Sequence, residues 1–278
     1  MEQFLTIQQM DEAAAYIRER ISVQPQVAII LGSGLGGLAE MVEEATVIPF
    51  HEIPYWVTSS IEGHKNRLVI GLLEGTPVLV MQGRIHYYEG HRMDEVTFPV
   101  RVMQRLGIQT LVVTNAAGAI DPAYQPGDVM LITDHLSLIG MTGNNPLRGP
   151  NVAELGERFP DMSQAYDREY AEIARQVARK EGIQLHEGIY ICLSGPSFET
   201  PADLRFLRLI GANAVGMSTV PEVIVAHHGG TRVLGFSGVS NKANLDGSTI
   251  TTHEEVLQAG ELIVPKLITL IRGFLRAL

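Results

Sequence analysis

The 278 residues carry 31 acidic against 21 basic side chains, a net charge of −10 with the nine histidines neutral. That balance excludes a binder that works by neutralising a nucleic-acid backbone, although a small anion held by a few local donors is not excluded. Hydrophobic residues make up 45 %, enough for a sizeable core. No apolar run approaches the roughly 18 residues of a membrane span, and the single Cys192 allows neither an internal disulfide nor a C-x-x-C zinc site.

The N-terminus lacks a basic region followed by an apolar one, so a cytoplasmic protein is expected. Residues 6 to 20 read as an amphipathic helix with Ile7, Met10, Ala14 and Ile17 on one face. Val27 to Leu31 is a short, wholly apolar strand. Gly32-Ser33-Gly34-Leu35-Gly36-Gly37 follows, with a helix expected to about Glu43. Such a turn lets backbone N–H groups close on an anion, and Ser33 adds a hydroxyl. Gly32, Gly34 and Gly37 also match a dinucleotide-binding fingerprint. That fingerprint needs an acidic residue about 20 positions on, at the end of a second strand. Pro49 to Pro54 reads as a loop instead. Residues 55 to 66 are polar and carry His64.

Leu68 to Leu73 and Val78 to Met81 read as a hairpin joined at Glu74-Gly75-Thr76-Pro77. Arg84 and His86 come next. Two positions apart, they point the same way on an extended segment, and a guanidinium beside an imidazole suits a phosphate. The plain alternative is a surface pair. Asp94 to Leu106 is a helix, and Thr110 to Thr114 is a buried strand that runs into the small-residue turn Asn115-Ala116-Ala117-Gly118. Val129 to Thr133 is another strand. Residues 140 to 162 form a long polar, proline-rich loop, of a length that is usually functional or at an interface. Tyr166, Tyr170, Ile173 and Val177 mark a helix ending at Gly182, and Ile189 to Leu193 is a strand.

The stretch Ser194 to Glu222 is the most informative. Thr200 suits a helix N-cap, Pro201 the first helical position and Asp203 the positive end of the helix. This fixes Glu199 on a turn. Asn213 to Met217 reads as a buried strand, and Ser218-Thr219 turns into a second helix whose free N–H groups favour an anion. A glutamate before an N-cap is often only a favourable charge, and a serine at a strand end is usually a turn residue. Val233 to Phe236 is the last strand and empties into Ser237 to Lys242. Thr252 and Glu255 match a capping box for a final helix of about twenty residues, which Pro265 is expected to kink. Strands alternate with helices throughout, so an α/β fold with a largely parallel central sheet is expected. In such sheets ligands gather beyond the carboxyl ends of the strands. The turns at 32–34, 115–118 and 217–219, with Glu199 and Asn241, could therefore share one pocket. Cys192, in an apolar run, reads as a core thiol. His227 and His228 are adjacent and diverge on a helix, so they make a poor metal pair.

L-G-S-G-L-G, G-R-I-H-Y-Y-E-G, T-N-A-A-G, N-P-L-R-G-P-N, G-P-S-F-E-T, A-V-G-M-S-T-V-P-E and S-N-K together resemble the purine nucleoside phosphorylases of the low-molecular-mass, trimeric class. The resemblance implies a single domain over residues 1–278 with a mixed, largely parallel β-sheet flanked by helices and a smaller distorted barrel. It implies phosphorolysis of 6-oxopurine nucleosides, inosine and guanosine, to free base and pentose 1-phosphate. Phosphate is then a co-substrate, and no metal or other cofactor is expected. The phosphate residues implied are Ser33, His64, Arg84, His86, the Ala116 backbone and Ser218. Phe198, Glu199 and Asn241 would take the base. Tyr88, Met217 and His253 would take the sugar, with Phe159 reaching in from a neighbouring subunit of a homotrimer. His86, Glu199 and Asn241 are the expected catalytic groups. Ser240 stands where many relatives have threonine, and residues 243 to 251 depart from the animal enzymes. Purine nucleosides and phosphate, rather than nucleic acid or membrane, are the expected partners. A methylthioadenosine phosphorylase would use an aspartate where Asn241 stands. A nicotinamide-dependent oxidoreductase lacks its acidic residue, and a non-catalytic nucleoside binder has no use for a phosphate seat.

Overall fold

Five consecutive buried residues, Val27–Leu31, form β1 at the middle of the sheet, with parallel neighbours on both sides. The computed structural model describes residues 4–245, 247–248 and 252–278, apart from the side chains of 253, 254, 256 and 257. Eight further strands lie among them: β2 (Glu43–Pro49), β3 (Arg67–Leu73), β4 (Thr76–Gln82), β5 (Thr110–Ala119), β6 (Val129–Ser137), β7 (Leu185–Cys192), β8 (Ala214–Gly216) and β9 (Arg232–Lys242). The helices are α1 (Ile7–Arg18), α2 (Met93–Arg105), α3 (Arg168–Lys180), α4 (Pro201–Leu209), α5 (Val220–His228) and α6 (His253–Leu275).

The strands run in the order β2-β3-β4-β1-β5-β8-β7-β6-β9, and β9 also pairs back in parallel onto β5. This second pairing closes β5, β8, β7, β6 and β9 into a ring. The antiparallel steps are β2–β3, β3–β4, β5–β8 and β6–β9; the others are parallel. The sheet is therefore mixed, as expected. Helices α1, α2 and α5 cover one face, where Ala13, Ile17, Val100 and Val223 are almost wholly buried. Helices α3 and α6 cover the other with Ala174, Ile263 and Phe274. Each of the larger of these side chains, such as Ile17, Val100 or Phe274, contributes about 1.5–3 kcal/mol when removed from water. Helix α4 closes the ring's flank through Leu204 and Leu207, which meet Ile191 and Val215.

Local chemistry explains the helix starts. Thr6 and Gln9 form a capping box on α1, Asp167 accepts from the N–H groups of Glu169 and Tyr170 on α3, and Thr200 with Asp203 caps α4. Helix α6 runs on through Pro265.

Three expectations need correction. The segment after the first glycine turn is a short 3-10 stretch, Gly36–Met41, rather than a helix to Glu43. It leads into β2, an antiparallel edge strand that sequence-based reasoning did not pick out, so no dinucleotide-binding βαβ unit exists here. Asn115 to Gly118 and Ser237 to Lys242 are strand, not turn: β5 and β9 pair from Thr110–Arg232 to Ala119–Lys242, with a register shift at Ala117/Gly118. Between β2 and β3, the loop bearing His64 is anchored at Trp56, which is buried against Phe50 (5.3 Å between ring centroids) and, edge-on, Phe98 of α2 (6.2 Å). Among the described residues no helix is long and apolar enough to cross a membrane, and no group of three or more metal-ligating side chains occurs.

Candidate active site

The parallel strands β1, β4, β5 and β9 end on one side of the sheet, and β8 crosses the end of β5 there at Gly118–Val215. A cleft of about 260 Å3 opens above them. Its walls bring together Ser33, Arg84, His86, Tyr88, Ala116, Phe198, Glu199, Met217, Ser218 and Asn241. Residues more than 200 positions apart thus converge on the carboxyl ends of the strands, where open α/β sheets bind ligands. Gly32 is required for the convergence. A Cβ there would come within 2.7 Å of the Asn115 Cα, so any larger residue would push β1 off β5 just below Ser33.

One end of the cleft is cationic. Arg84 is 1 % exposed and held from three sides. Its Nη1 donates to the Thr114 carbonyl at 2.7 Å and lies 3.3 Å from Ser218 Oγ, and its Nε donates to Glu222 Oε1 at 3.1 Å. Nη2 and Glu222 Oε2 stand 2.8 Å apart as an ion contact, without hydrogen-bond alignment. Ser218 precedes Thr219, which adopts φ +71° at the start of α5. This strained conformation for a β-branched residue is held by the Asn115 amide donating to Thr219 Oγ1 at 2.9 Å. Sequence-based reasoning placed Ser218 at a helix start but did not single out Glu222.

Three stacked rings stand beside this end, two of them, His86 and Tyr88, on the cleft wall. His64 and His86 stack at 5.3 Å, and His86 and Tyr88 at 4.7 Å. His64 does not line the cleft itself, but its Nε2 is 3.1 Å from Ser33 Oγ. Its Nδ1 is 2.9 Å from the Arg84 carbonyl and 3.1 Å from Ser59 Oγ, and the Arg84 N–H points at it from 3.2 Å, so the ring is held against the backbone at Arg84. Burial, with Arg84 and His86 nearby, lowers the His64 pKa to about 4. Burial also lowers His86, partly opposed by its hydrogen bond to Glu89 Oε1 at 3.1 Å. Glu89 further accepts from the Ser60 N–H at 2.6 Å and from both Ser59 and Ser60 hydroxyls. It therefore ties the His64 loop to His86. Its role was missed by sequence-based reasoning, although the H-x-x-E spacing of a capped turn was its visible sign.

The other end of the cleft is flatter and less charged. Phe198, 47 % exposed, and Glu199 come from the segment between β7 and α4. Burial raises the Glu199 pKa, with Asp203 adding to it. Asn241 faces them from β9, and Met217 lies between the two ends, its Sδ packed over Gly195. Phe159 is 86 % exposed and outside this cleft in the protomer. The His253 side chain lies outside the described residues. Cys192 is buried, with its thiol pushed up to about 12, so it is a core residue.

The model of the Phosphorylase superfamily matches residues 26–276. The purine nucleoside phosphorylase 1 of Geobacillus stearothermophilus is 48 % identical over 267 residues, 96 % of each chain. That of Mus musculus is 50 % identical over 265 residues, 94 % of this chain and 92 % of the mouse protein. Schistosoma mansoni purine nucleoside phosphorylase superposes with a TM-score of 0.94 in its adenosine and its inosine complexes. The identity is 40 % and 39 %, covering 98 % of this chain and 98 % and 97 % of those chains. The chain belongs to the phosphorylase superfamily and, within it, to the purine nucleoside phosphorylases.

Proposed function

We propose that the chain transfers the pentose of inosine and guanosine from the purine to inorganic phosphate, in purine salvage. The observation that carries this is the division of one cleft into a cationic seat (Ser33, Arg84, Ser218) and a base-sized end (Phe198, Glu199, Asn241). Glycosidic cleavage builds positive charge on the sugar and negative charge on the departing purine. A phosphate dianion held by Arg84, His86, Ser33, Ser218 and the Ala116 backbone stabilises the first charge and attacks the anomeric carbon. The Ser33 hydroxyl, now engaged by His64, would turn to a phosphate oxygen, with His64 closing over it. Asn241 donates to the ring nitrogen as it becomes anionic, a bond that strengthens in the transition state. Glu199 accepts from N1–H of a 6-oxopurine, and Phe198 packs on the ring. Tyr88, Met217 and His253 take the sugar.

Purified enzyme with inosine should release hypoxanthine only when phosphate is present. Equal release in phosphate-free buffer would mean hydrolysis and overturn the reading. Phosphate is a co-substrate in this scheme and no resident cofactor is invoked; full activity after exhaustive chelation is the expected result. A cytoplasmic location suits the single buried thiol. We further read residues 1–278 as one domain that assembles as a homotrimer, with the exposed Phe159 entering a neighbour's sugar site. Light scattering that gave a fully active species of 30.4 kDa, the mass of one chain, would exclude this assembly.

A further inference from the structure

Ser240 is 4 % exposed and sits directly beside Asn241 on β9. Its Oγ is 3.2 Å from the Ala117 carbonyl and 2.8 Å from Asn241 Oδ1. Both neighbours are acceptors, and a hydroxyl has one proton to give. The shorter contact is the one to the amide oxygen. With Oδ1 held, the amide nitrogen is the end left to other partners. One N–H reaches the Lys242 carbonyl at 3.3 Å, and the second is available to the cleft that Asn241 lines. Gly118 closes the third side. Even a Cβ there would lie at ordinary van der Waals distance, 3.5 Å from Asn241 Nδ2 and 3.7 Å from Oδ1, so what confines the amide is its hydrogen bonds.

Confinement alone does not choose which end of an amide faces a ligand, because the two ends have nearly the same shape and opposite hydrogen-bond character. A neighbour that only donates, or only accepts, makes that choice. We propose that Ser240 is the specificity-determining partner of Asn241. Its hydroxyl donates to Oδ1 and so presents the remaining amide N–H to the purine edge shared by the ring nitrogen and the 6-position, selecting bases that carry acceptors at both. If the hydroxyl turned to Ala117, its lone pair would hold the amide nitrogen instead. The amide oxygen would then meet the base, which is the arrangement a 6-amino purine needs. This inference rests on the placement of the base at Asn241 given above.

The test compares wild type, Ser240→Ala and Ser240→Thr for kcat/KM on inosine and adenosine. Calorimetric binding of hypoxanthine and adenine, and thermal unfolding, accompany it. Removing the hydroxyl should lower the inosine-to-adenosine ratio by about tenfold or more, mainly through a gain on adenosine, while Ser240→Thr keeps the wild-type ratio. A folded Ser240→Ala enzyme with an unchanged ratio would overturn the proposal, as would equal losses on both substrates. Should that variant not fold, Ser240→Cys, of similar size and a weaker donor, gives the same comparison. A wild type that binds neither base would instead remove the base-site assignment itself.

Discussion

Glu199 is a carboxylate that burial pushes towards its neutral form. Its raised folded pKa contributes stability below the unfolded value, and this is lost as pH rises through the folded one, so at pH 7 the ionised side chain weakens the fold. In the reaction proposed above, the base needs that ionised form. Glu199→Gln at pH 7 should therefore leave the thermal midpoint unchanged or raised. It should lower kcat/KM on inosine by about 10- to 100-fold, the worth of one charge-assisted hydrogen bond. A variant that lost stability and kept its activity would contradict both halves. By the same sign, wild-type kcat/KM should fall on the acid side at a pH above the ordinary carboxylate value of 4.5.

At the level of elements, the segment just after β4 is joined to α5 through one buried ion pair, Arg84 with Glu222, exposed by 1 % and 3 %. Removing one partner strands the other charge. Glu222→Ala should cost about 3–5 kcal/mol in urea unfolding, and adding Arg84→Met in the same chain should restore part of that loss. A double variant less stable than Glu222→Ala would show that the pair is not what joins these elements. The pairing also explains what the sequence conceals. Local signals such as caps, prolines and apolar runs reveal α1, α4, β1 and the positions of Ser33, Glu199 and Ser218. They do not reveal β2, whose first three residues are exposed at a sheet edge, nor the far halves of β5 and β9. Ala-Ala-Gly-Ala and Ser-Asn-Lys have little strand propensity of their own and become strand because each pairs with the other. Their small side chains are also what leaves room for the cleft. The partner of Arg84 was hidden for a similar reason: Glu222 lies 138 positions from Arg84, and no local pattern records that distance.

For the whole molecule, acid should be destabilising well before the carboxylates protonate. His64 and His135 both have folded pKa values lowered by burial to about 4 from 6.5. Their contribution is complete above 6.5 and is lost as pH falls towards 4, because only the unfolded chain takes up the proton in that window. Between pH 7 and pH 5 each would remove up to about 2 kcal/mol of unfolding free energy. Urea midpoints at the two pH values measure the sum, and His135→Gln should shrink it. An unchanged slope in that variant would assign the acid sensitivity elsewhere.

Trp56 is the chain's one tryptophan. It is 5 % exposed, wedged between Phe50 and Phe98, three residues before Ser59 and eight before His64. Its indole is thus a built-in optical probe at the root of the segment that carries His64, whose Nε2 meets Ser33 Oγ, and Ser59, which bonds Glu89. Emission should be blue-shifted and poorly quenched by iodide in the folded enzyme, as for an indole in apolar surroundings. Titrating phosphate should change its intensity with the same midpoint as phosphate binding measured by calorimetry. In Ser33→Ala, which lacks the hydroxyl 3.1 Å from His64, the optical change should be smaller at equal phosphate occupancy. An emission change that persists in full without the hydroxyl would mean that the signal reaches Trp56 by another route, and the segment could then be followed in real time without any label.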